Sequence, residues 1–307
     1  MPKAIRFSEY GDADVLRLEE VPLPEPGEGQ VRVKVTAAGV NGLDWKVRRG
    51  YLSGGEPPAA PMGTGLELSG VVDAVGPGVH QWRPGQAVFG GSADRGAAAE
   101  YDLAAAGDLV AKPDWLGFEE AAALPVATET AYRTLRLLDV REGQTLLIHA
   151  AAGGVGLLAG QIARARGAAV IGTAATRNHA FLREVGISPV LYGDGLFDRV
   201  RAMAPQGVDA VLDCSGRGEL AGSVALTGGP DRVVTIADPV GAAEHGVRFT
   251  GEAGSLAEAV TEVLPLVEAG RVRIPIDSVF PLEGAADAQR HSENGHLQGK
   301  VLIRPGA

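Results

Sequence analysis

The pattern of hydrophobic and polar positions divides the chain into regions of different period. Residues 31–37 read Val-Arg-Val-Lys-Val-Thr-Ala, and this alternation with period 2 is typical of a half-exposed strand. Further strands are predicted at residues 70–76 and 86–90, and glycine and proline separate the segments. Many short strands joined by tight turns predict a compact, barrel-like β domain in the N-terminal region.

Near Phe118 the pattern becomes alanine-rich and helical over residues 119–138, and Pro125 is expected to start or kink a helix. From Thr145 to about residue 269, predicted strands and helices alternate. Such alternation predicts a parallel sheet that helices cover on both faces. The expected strands are Thr145–His149, Ala169–Thr173, 209–213 and 232–236, and the expected helices are 155–166, 177–185, 195–204 and 255–269.

The last part of the chain returns to β structure. Strands are expected at residues 279–282 and 300–303, with a short helix at 287–293 between them. We expect this tail to rejoin the N-terminal region. The predicted domains are a discontinuous one of residues 1–118 and 271–307 and a second one of residues 119–270.

A glycine turn follows the first strand of the second domain. Residues 150–156 read Ala-Ala-Ala-Gly-Gly-Val-Gly, so Ala151, Gly153 and Gly156 take the three glycine positions of Gly-x-Gly-x-x-Gly. A turn without bulky side chains lets backbone N–H groups approach a pyrophosphate, and the N-terminus of the next helix favours its negative charge. The order of strand, turn, helix and strand therefore predicts a dinucleotide cofactor, with a purely structural turn as the alternative.

The end of the second strand indicates which nicotinamide nucleotide is bound. An NAD-specific fold usually carries Asp or Glu about 20 residues after the glycine turn, where it accepts from a ribose hydroxyl. No acid stands at this strand end; Thr173, Thr176 and Arg177 occupy the region instead. A cation and hydroxyl groups suit a 2′-phosphate, so the sequence predicts NADPH. The alternative is that Arg177 only opens the next helix and faces solvent.

Composition narrows the remaining classes of function. A chain of 307 residues with 45% hydrophobic residues suggests about two packed domains, and a net charge of −10 argues against nucleic acid as a partner. No apolar run reaches the roughly 18 residues of a membrane span, and no signal peptide is evident, so we expect a cytoplasmic protein. The single cysteine, Cys214, and six histidines without ligand spacing predict no metal site.

Five motifs occur in order along the chain: Gly-Val-Asn-Gly-Leu-Asp at 39–44, Gly-Val-Val-Asp-Ala-Val-Gly at 70–76, Ala-Ala-Gly-Gly-Val-Gly at 151–156, Val-Ile-Gly-Thr at 170–173 and Gly-Lys-Val at 299–301. Together they resemble the zinc-independent medium-chain dehydrogenase/reductase superfamily, in its NADPH:quinone oxidoreductase (ζ-crystallin-like) branch, over essentially the whole chain. The resemblance implies an α/β protein with a GroES-like β-rich barrel domain and a Rossmann-type, doubly wound parallel sheet domain. It also implies an active site between the two domains and a homodimer.

The chain departs from the zinc-dependent relatives at their metal site. Gly65-Leu66-Glu67 stands where those relatives carry Gly-His-Glu, and Cys214 lies in the wrong domain to be their catalytic cysteine. Zinc is the Lewis acid that assists alcohol oxidation in such enzymes. The chemistry expected here is therefore hydride delivery to a carbon that is already electrophilic, in a quinone, an enone or another activated alkene.

The resemblance also implies a set of cofactor-binding residues. The glycine turn would hold the pyrophosphate, a threonine–arginine pair and a tyrosine would lie near the adenosine phosphate, and a further threonine would lie near the nicotinamide. Residues after two later strands join the set, because ligands of open α/β sheets bind at such strand ends. The alternatives are ordinary strand packing for Tyr192 and a plain surface role for Lys300. The set is Thr130, Gly153, Gly154, Val155, Gly156, Thr173, Thr176, Arg177, Tyr192, Ser215, Ile236, Ala237 and Lys300.

Asn41 and Lys46 are the candidate catalytic residues. The resemblance places Asn41 towards nicotinamide and substrate, where its amide would donate to the substrate oxygen as charge develops. A turn residue that satisfies its own backbone is the alternative. Asp44 is expected to hold the loop. Quinone reductases often carry a tyrosine where this chain has Lys46, so the proton source stays open among Lys46, water and Tyr51.

The sequence thus predicts an NADPH-dependent reductase of small quinones or α,β-unsaturated carbonyls. One alternative is a tailoring reductase of secondary metabolism that acts on a larger substrate. Residues 48–61 would shape the pocket for that substrate. The other is a non-catalytic protein that binds NADPH.

Overall fold

The computed structural model describes residues 1–54, 56–252 and 254–306. Elements are numbered in chain order. The strands are β1 (Lys3–Phe7), β2 (Arg17–Glu20), β3 (Gln30–Val40), β4 (Met62–Gly63), β5 (Glu67–Val75), β6 (Ala87–Gly91), β7 (Tyr101–Ala105), β8 (Leu109–Ala111), β9 (Thr145–His149), β10 (Ala169–Thr173), β11 (Ser188–Val190), β12 (Ala210–Asp213), β13 (Val233–Thr235), β14 (Arg248–Phe249), β15 (Ile276–Pro281) and β16 (Lys300–Arg304). The helices are α1 (Gly42–Arg48), α2 (Phe118–Ala123), α3 (Pro125–Leu137), α4 (Gly154–Ala165), α5 (His179–Glu184), α6 (Leu196–Met203), α7 (Leu220–Thr227), α8 (Pro239–His245), α9 (Leu256–Glu268) and α10 (Ala285–Asn294).

The chain divides into two compact units. The first contains Met1–Val126, Ser255–Thr261 and the segment from Pro275 onward, and the second contains Ala127–Gly254 and Glu262–Ile274. The first unit is discontinuous and continues past the predicted boundary at residue 118. The reason is α2, because the Ser69 hydroxyl donates to the Phe118 carbonyl at 2.6 Å and ties the start of this helix to β5.

The first unit is built on one mixed sheet. Its strands follow the order β15-β16-β3-β5-β6-β8, β7 also pairs with β3, and a smaller sheet has the order β2-β1-β4. The alternation predicted for residues 31–37 is confirmed, since Val31, Val33 and Val35 on β3 are buried in the core of this unit with Leu68 and Val72 of β5. The β-rich first domain is thereby confirmed.

An acidic side chain lies inside this core. Asp102 on β7 is buried, and its Oδ2 atom has no hydrogen-bond partner within the described part of the chain. Burial raises the pKa of Asp102 to about 7, against smaller opposing contributions from hydrogen bonds with Ser92 and Leu103. When a carboxyl group has a higher pKa in the folded protein than in the unfolded chain, the free energy of unfolding falls as the pH rises between the two pKa values.

Asp102→Asn is therefore expected to change the pH dependence of stability. The wild-type protein loses a contribution of a few kcal/mol as the pH rises from about 4 to about 7, because the unfolded carboxyl ionises freely and the folded one does not. The variant should lack this loss, so its melting temperature relative to wild type should rise over that interval and level off above it. Thermal unfolding followed by circular dichroism from pH 4.5 to 8 measures the difference.

Asp114→Asn, at an exposed position of the same unit, is the matched control and should show no such trend. A difference between the Asp102→Asn and wild-type melting temperatures that stays constant with pH would contradict the assignment.

The second unit contains a six-stranded parallel sheet of order β11-β10-β9-β12-β13-β14. The chain enters at the centre with β9, builds outward to β11, and then returns to place β12 on the other side of β9. This reversal is the switch point of a doubly wound sheet, and the carboxyl ends of its strands share one edge. The predicted Rossmann-type domain is confirmed, with β9 and β10 at their predicted residues.

Several short elements differ from the prediction. Pro125 starts α3, as expected, so the helical stretch becomes the two helices α2 and α3. The helices α1, α7 and α8 were not predicted, because glycine-containing segments of seven or eight residues show too few turns for a clear period. Helix α8 does carry a start signal, since Asp238 accepts from Gly241 N at 2.8 Å and Pro239 follows it.

Candidate active site

The glycine turn joins the end of β9 to the start of α4 in the second unit. Ala150 has a φ of 56°, and the next residue, Ala151, donates its N–H to the Thr173 carbonyl at 3.0 Å. A Cβ atom at Gly156 would lie 2.7 Å from the Ala150 oxygen and 2.9 Å from the Ala151 Cα, so only glycine lets the helix pass this close to the turn. Gly156 therefore serves packing between helix and strand.

Gly153 has a different environment. Its φ of −76° suits any residue, and a Cβ atom there would meet only the Ala150 oxygen, at 3.6 Å. Gly153 caps α4 without a side chain, and Gly154 and Val155 after it are partly exposed. The first N–H groups of a helix have no partner within the helix. The N-terminus of α4 thus presents backbone donors that no side chain covers at Gly153 or Gly154, and a pyrophosphate fits this surface.

Thr173 supports the turn from β10. The threonine is buried, and its Oγ1 accepts from the Ala150 N–H at 3.0 Å. The sequence interpretation assigned this hydroxyl to a 2′-phosphate. In the structure this hydroxyl accepts from the backbone of the turn, and a contact of Thr173 with a 2′-phosphate stays a prediction.

The residues predicted for the adenosine phosphate follow the neighbouring strands β10 and β11. Thr176 and Arg177 are exposed in a 3₁₀ turn after β10. Tyr192 is 37% exposed and follows β11, which ends at Val190, so ordinary strand packing does not describe it. His179 donates from Nε2 to the Ala174 carbonyl at 3.1 Å and behaves as a helix residue. The parallel sheet therefore brings the arginine and the tyrosine to the same edge.

Arg199 was missed by the sequence interpretation. From α6 its guanidinium donates to the carbonyl oxygens of Leu191 and Asp194, each at 2.7 Å. These contacts hold the loop that carries Tyr192. No local pattern marks Arg199, because an arginine on an exposed helix face is usually a solvated residue.

Ser215, Ile236 and Ala237 follow β12 and β13 and are partly exposed. Asp213 organises the first of these ends, since its Oδ1 accepts from Ser215 N at 2.8 Å and its Oδ2 accepts from the Thr235 hydroxyl at 2.7 Å. The Ser215 hydroxyl itself donates to Glu219 Oε2 at 2.7 Å. The loops are thus held firmly at the edge of the sheet where the glycine turn also lies.

Thr130 lies on α3, partly exposed, and its carbonyl accepts from the Thr134 hydroxyl at 2.7 Å. The adjacent Glu129 is buried, pairs with Arg133 at 2.7 Å and accepts from Gly254 N at 2.8 Å. These contacts anchor this part of α3. The role of Thr130 near a nicotinamide stays a prediction.

The first unit contains a polar cluster that we call the Asn41 cluster, formed by the buried Glu67 and Lys300 and the partly buried Asn41. Lys300 donates from Nζ to Glu67 Oε1 at 2.5 Å and to Asn41 Oδ1 at 2.6 Å. Asn41 donates from Nδ2 to Glu67 Oε1 at 2.8 Å. Glu67 and Lys300 are 0% and 4% exposed, so the surface role considered for Lys300 is wrong. Its ammonium binds these two side chains rather than lying open to a cofactor.

Strand pairing explains why the cluster forms. Strand β3 lies between β16 and β5, with Val40 opposite Val301 and Gly39 opposite Glu67. A Cβ atom at Gly39 would lie 2.3 Å from Glu67 Oε1, so the glycine makes room for the carboxylate. Glu67 was missed as a functional residue, although a charge at the start of an apolar strand was a visible signal.

Asp44 holds the loop below Asn41, as expected. Its Oδ2 accepts from Asn41 N at 2.7 Å and its Oδ1 accepts from Gly65 N at 3.2 Å. Burial raises the pKa of Asp44 to about 6, although the hydrogen bond from Asn41 and the charge of Lys300 oppose the rise. With both oxygens facing N–H donors, this carboxyl anchors the backbone at the start of α1.

Lys46 and Tyr51 lie around Trp45. The Lys46 Nζ is 5.7 Å from the centre of the Trp45 ring, and the Tyr51 ring meets the same indole edge-on at 6.2 Å. Tyr51 is 65% exposed. Neither contact assigns a proton donor, so Lys46 as the proton source stays a prediction.

The described residues contain neither a group of metal-ligating side chains nor a helix that could span a membrane. Among residues 1–54, 56–252 and 254–306, no three or more His, Cys, Asp or Glu side chains are grouped as a metal site requires. No helix within these residues combines the length and the apolar character that spanning a bilayer needs.

Comparison with known proteins relates both parts of the chain to dehydrogenase families. Residues 27–121 match the family described as alcohol dehydrogenase GroES-like domain, and residues 188–303 match the family described as zinc-binding dehydrogenase. A 2-methylene-furan-3-one reductase of Solanum lycopersicum is 34% identical over 99% of this chain and 79% of its own length. A quinone oxidoreductase of Lama guanicoe is 33% identical over 98% of this chain and 97% of its own.

A solved structure shows the same fold. The Escherichia coli quinone oxidoreductase, crystallised with NADPH, has a TM-score of 0.86 and 26% identity, and the match covers 99% of this chain and 100% of that one. Sequence and fold therefore agree over nearly the full length. The chain belongs to the medium-chain dehydrogenase/reductase superfamily, in its zinc-independent quinone oxidoreductase branch.

Proposed function

We propose that the protein is an NADPH-dependent reductase that delivers hydride to a quinone or an α,β-unsaturated carbonyl compound, without zinc. One observation carries the proposal: the N-terminus of α4 presents its backbone donors beside Gly153, which has space for a pyrophosphate, at the switch point of the parallel sheet. The relatives named quinone oxidoreductase and furanone reductase support the choice of an electron-poor acceptor.

Each part of the nucleotide has candidate residues in the second unit. Gly153 and Gly154 would bind the pyrophosphate through their backbone, and Arg177 would pair with the 2′-phosphate while Tyr192 lies beside it. When bound, NADPH supplies the hydride. The NADPH in the E. coli quinone oxidoreductase structure supports this choice of nucleotide.

Asn41 would stabilise the reduced substrate. As an electrophilic carbon accepts hydride, negative charge develops on the conjugated oxygen, and a positioned N–H donor lowers the energy of that state. The proton that completes the reduction would come from Lys46 or from water.

Arg177→Ala is expected to reduce the preference for NADPH over NADH. Charge-assisted hydrogen bonds contribute roughly 1.5–3 kcal/mol, so kcat/KM for NADPH should fall about tenfold or more, while kcat/KM for NADH changes little. Steady-state kinetics with both nucleotides measure this. Arg183→Ala, an exposed arginine on α5, should leave the ratio unchanged. An equal loss with both nucleotides would count against a contact with the 2′-phosphate.

A turnover screen tests the function itself. Purified protein is mixed with NADPH or NADH and with quinones and enones of several sizes, and nucleotide oxidation is followed by the loss of reduced-nicotinamide absorbance. The proposal expects oxidation of NADPH with at least one of these acceptors and a lower rate with NADH. Tight NADPH binding without turnover of any acceptor would favour the non-catalytic alternative.

The homodimer that the family resemblance implies stays a proposal, and so does the cytoplasmic location that the sequence predicts. Light scattering of the purified protein would measure its mass in solution. A mass of one chain at micromolar concentration would refute the dimer.

A further inference from the structure

The Asn41 cluster has a feature that the proposed function does not use: a buried ion pair contacts both ends of one amide. We propose that Lys300 and Glu67 are positioning residues that fix the orientation of the Asn41 side chain, so that Asn41 offers an N–H and not its carbonyl to the substrate oxygen. This inference rests on the proposed function, in which Asn41 is the donor.

The chemistry of the partners sets the orientation of the amide. A lysine ammonium only donates hydrogen bonds, and an ionised carboxylate only accepts them. Lys300 meets Oδ1 of Asn41 at 2.6 Å and Glu67 meets Nδ2 at 2.8 Å. Turning the amide by 180° would set donor against donor and acceptor against acceptor, so the opposite orientation is excluded. One hydrogen of Nδ2 remains after the contact with Glu67.

The two partners are themselves held in place. The Lys300 ammonium contacts Glu67 Oε1 at 2.5 Å, and the other carboxylate oxygen, Oε2, accepts from Val126 N at 2.7 Å. Both residues start strands that flank β3, and Asn41 directly follows β3. Asp44, the other carboxyl near Lys300, is bound to the backbone of Asn41 and Gly65. The three residues of the cluster are therefore held by three neighbouring strands of one sheet, β5, β3 and β16.

Stability alone gives no reason for these charges. Removing two charges from water costs about as much as their attraction returns, and an apolar pair of similar volume is often equally stable. What the charged pair provides is direction, because an apolar pair would leave both orientations of the amide equally favourable. Donation by Lys300 to Oδ1 also polarises the amide and strengthens its remaining N–H as a donor.

The test compares Lys300→Met with the double variant Lys300→Met/Glu67→Gln. The single variant leaves a buried carboxylate unpaired and should melt at a lower temperature. The double variant removes both charges, and the glutamine side chain that replaces Glu67 can donate as well as accept, so both amide orientations become possible. We expect its melting temperature to recover, while kcat with an enone stays about twofold or more below wild type, because about half of the Asn41 amides then present the carbonyl and the N–H is no longer polarised by Lys300. KM for NADPH should stay within about twofold.

The matched control is the ion pair between Arg304 and Glu119. Arg304 also lies on β16, at its end, but this pair is half-exposed. Arg304→Met/Glu119→Gln should leave kcat unchanged. A double variant of Lys300 and Glu67 with both wild-type stability and wild-type kcat would overturn the proposal.

A second readout does not depend on turnover. The chain has three asparagines, Asn41, Asn178 and Asn294, so selective ¹⁵N-asparagine labelling gives three pairs of side-chain amide signals, and Asn41→Ala assigns one pair. In the wild type, the two Asn41 amide hydrogens should differ in chemical shift by more than those of the exposed Asn294, and the hydrogen bound to Glu67 should be protected from exchange. Both properties should be lost in the double variant.

The two readouts separate the two claims. A wild-type protein that turns over no acceptor refutes the proposed function, while the amide signals still decide the orientation. Asn41 signals that are the same in wild type and double variant refute the positioning role, whatever the kinetics show.

Discussion

Asn41→Ala is expected to lower kcat for enone reduction about 100-fold and to change KM for NADPH little. The alanine removes the N–H that would donate to the substrate oxygen, and loss of one such donor typically costs about 10²–10³ in rate. The fold should survive, because Lys300 and Glu67 still pair directly and the backbone N–H of residue 41 still reaches Asp44. Steady-state kinetics with an enone at saturating NADPH provide the measurement.

Asn294→Ala is the control for this experiment, since Asn294 ends α10 in the same unit and lies outside the Asn41 cluster. It should retain wild-type kcat. If Asn41→Ala keeps wild-type kcat while remaining folded, Asn41 does not stabilise the developing charge, and its side chain serves only the hydrogen bonds with Lys300 and Glu67.

Gly153→Val is expected to weaken NADPH binding about 100-fold with little change in melting temperature. The backbone at Gly153 suits any residue and a Cβ atom there meets only one oxygen, at 3.6 Å, so the turn has room for the start of a side chain. The pyrophosphate would be displaced, because the side chain stands where the phosphates approach the N-terminus of α4. Two lost hydrogen bonds to a charged group, at about 1.5 kcal/mol each, amount to roughly 3 kcal/mol, which is about 100-fold in Kd. Titration followed by NADPH fluorescence measures it.

Two other glycines calibrate this result. Gly156→Ala should lower the melting temperature, because its Cβ atom would lie 2.7 Å from the Ala150 oxygen. Gly107→Val, at an exposed position with no atom near the added Cβ, should change neither property. NADPH binding by Gly153→Val at wild-type strength would place the nucleotide elsewhere.

The parts of the fold with a clear local pattern were predictable from the sequence. Strands β9 and β10 fall at their predicted residues because each is a short apolar run that a turn ends. Pro125 marks the start of α3 because proline fits the first turn of a helix. The glycine turn was recognisable because its residue types are fixed by geometry: the close approach of the backbone allows only glycine at position 156.

The candidate site was predictable in its residue types but not in its contacts. Lys300 lies 233 positions from Glu67 and 259 from Asn41, and no local period reports a pairing over such distances. The sequence therefore allowed a surface lysine where the structure has a buried one. Thr173 shows the same limit, because its residue type suits a phosphate but its hydroxyl accepts from the turn. Both contacts depend on which strands lie side by side in the sheets, and the local sequence pattern does not report that order.

The central claim is that a nucleotide bound at the glycine turn reduces an electron-poor carbon. Tracing deuterium tests it most directly, using NADPH that carries deuterium on one face of nicotinamide C4 and a single α,β-unsaturated ketone, with the product analysed by mass spectrometry and NMR. We predict deuterium from one of the two faces at the β-carbon of the saturated ketone, in a ratio of one per NADPH oxidised. Bound NADPH that yields no saturated ketone, or a saturated ketone without deuterium from either face, would contradict the claim.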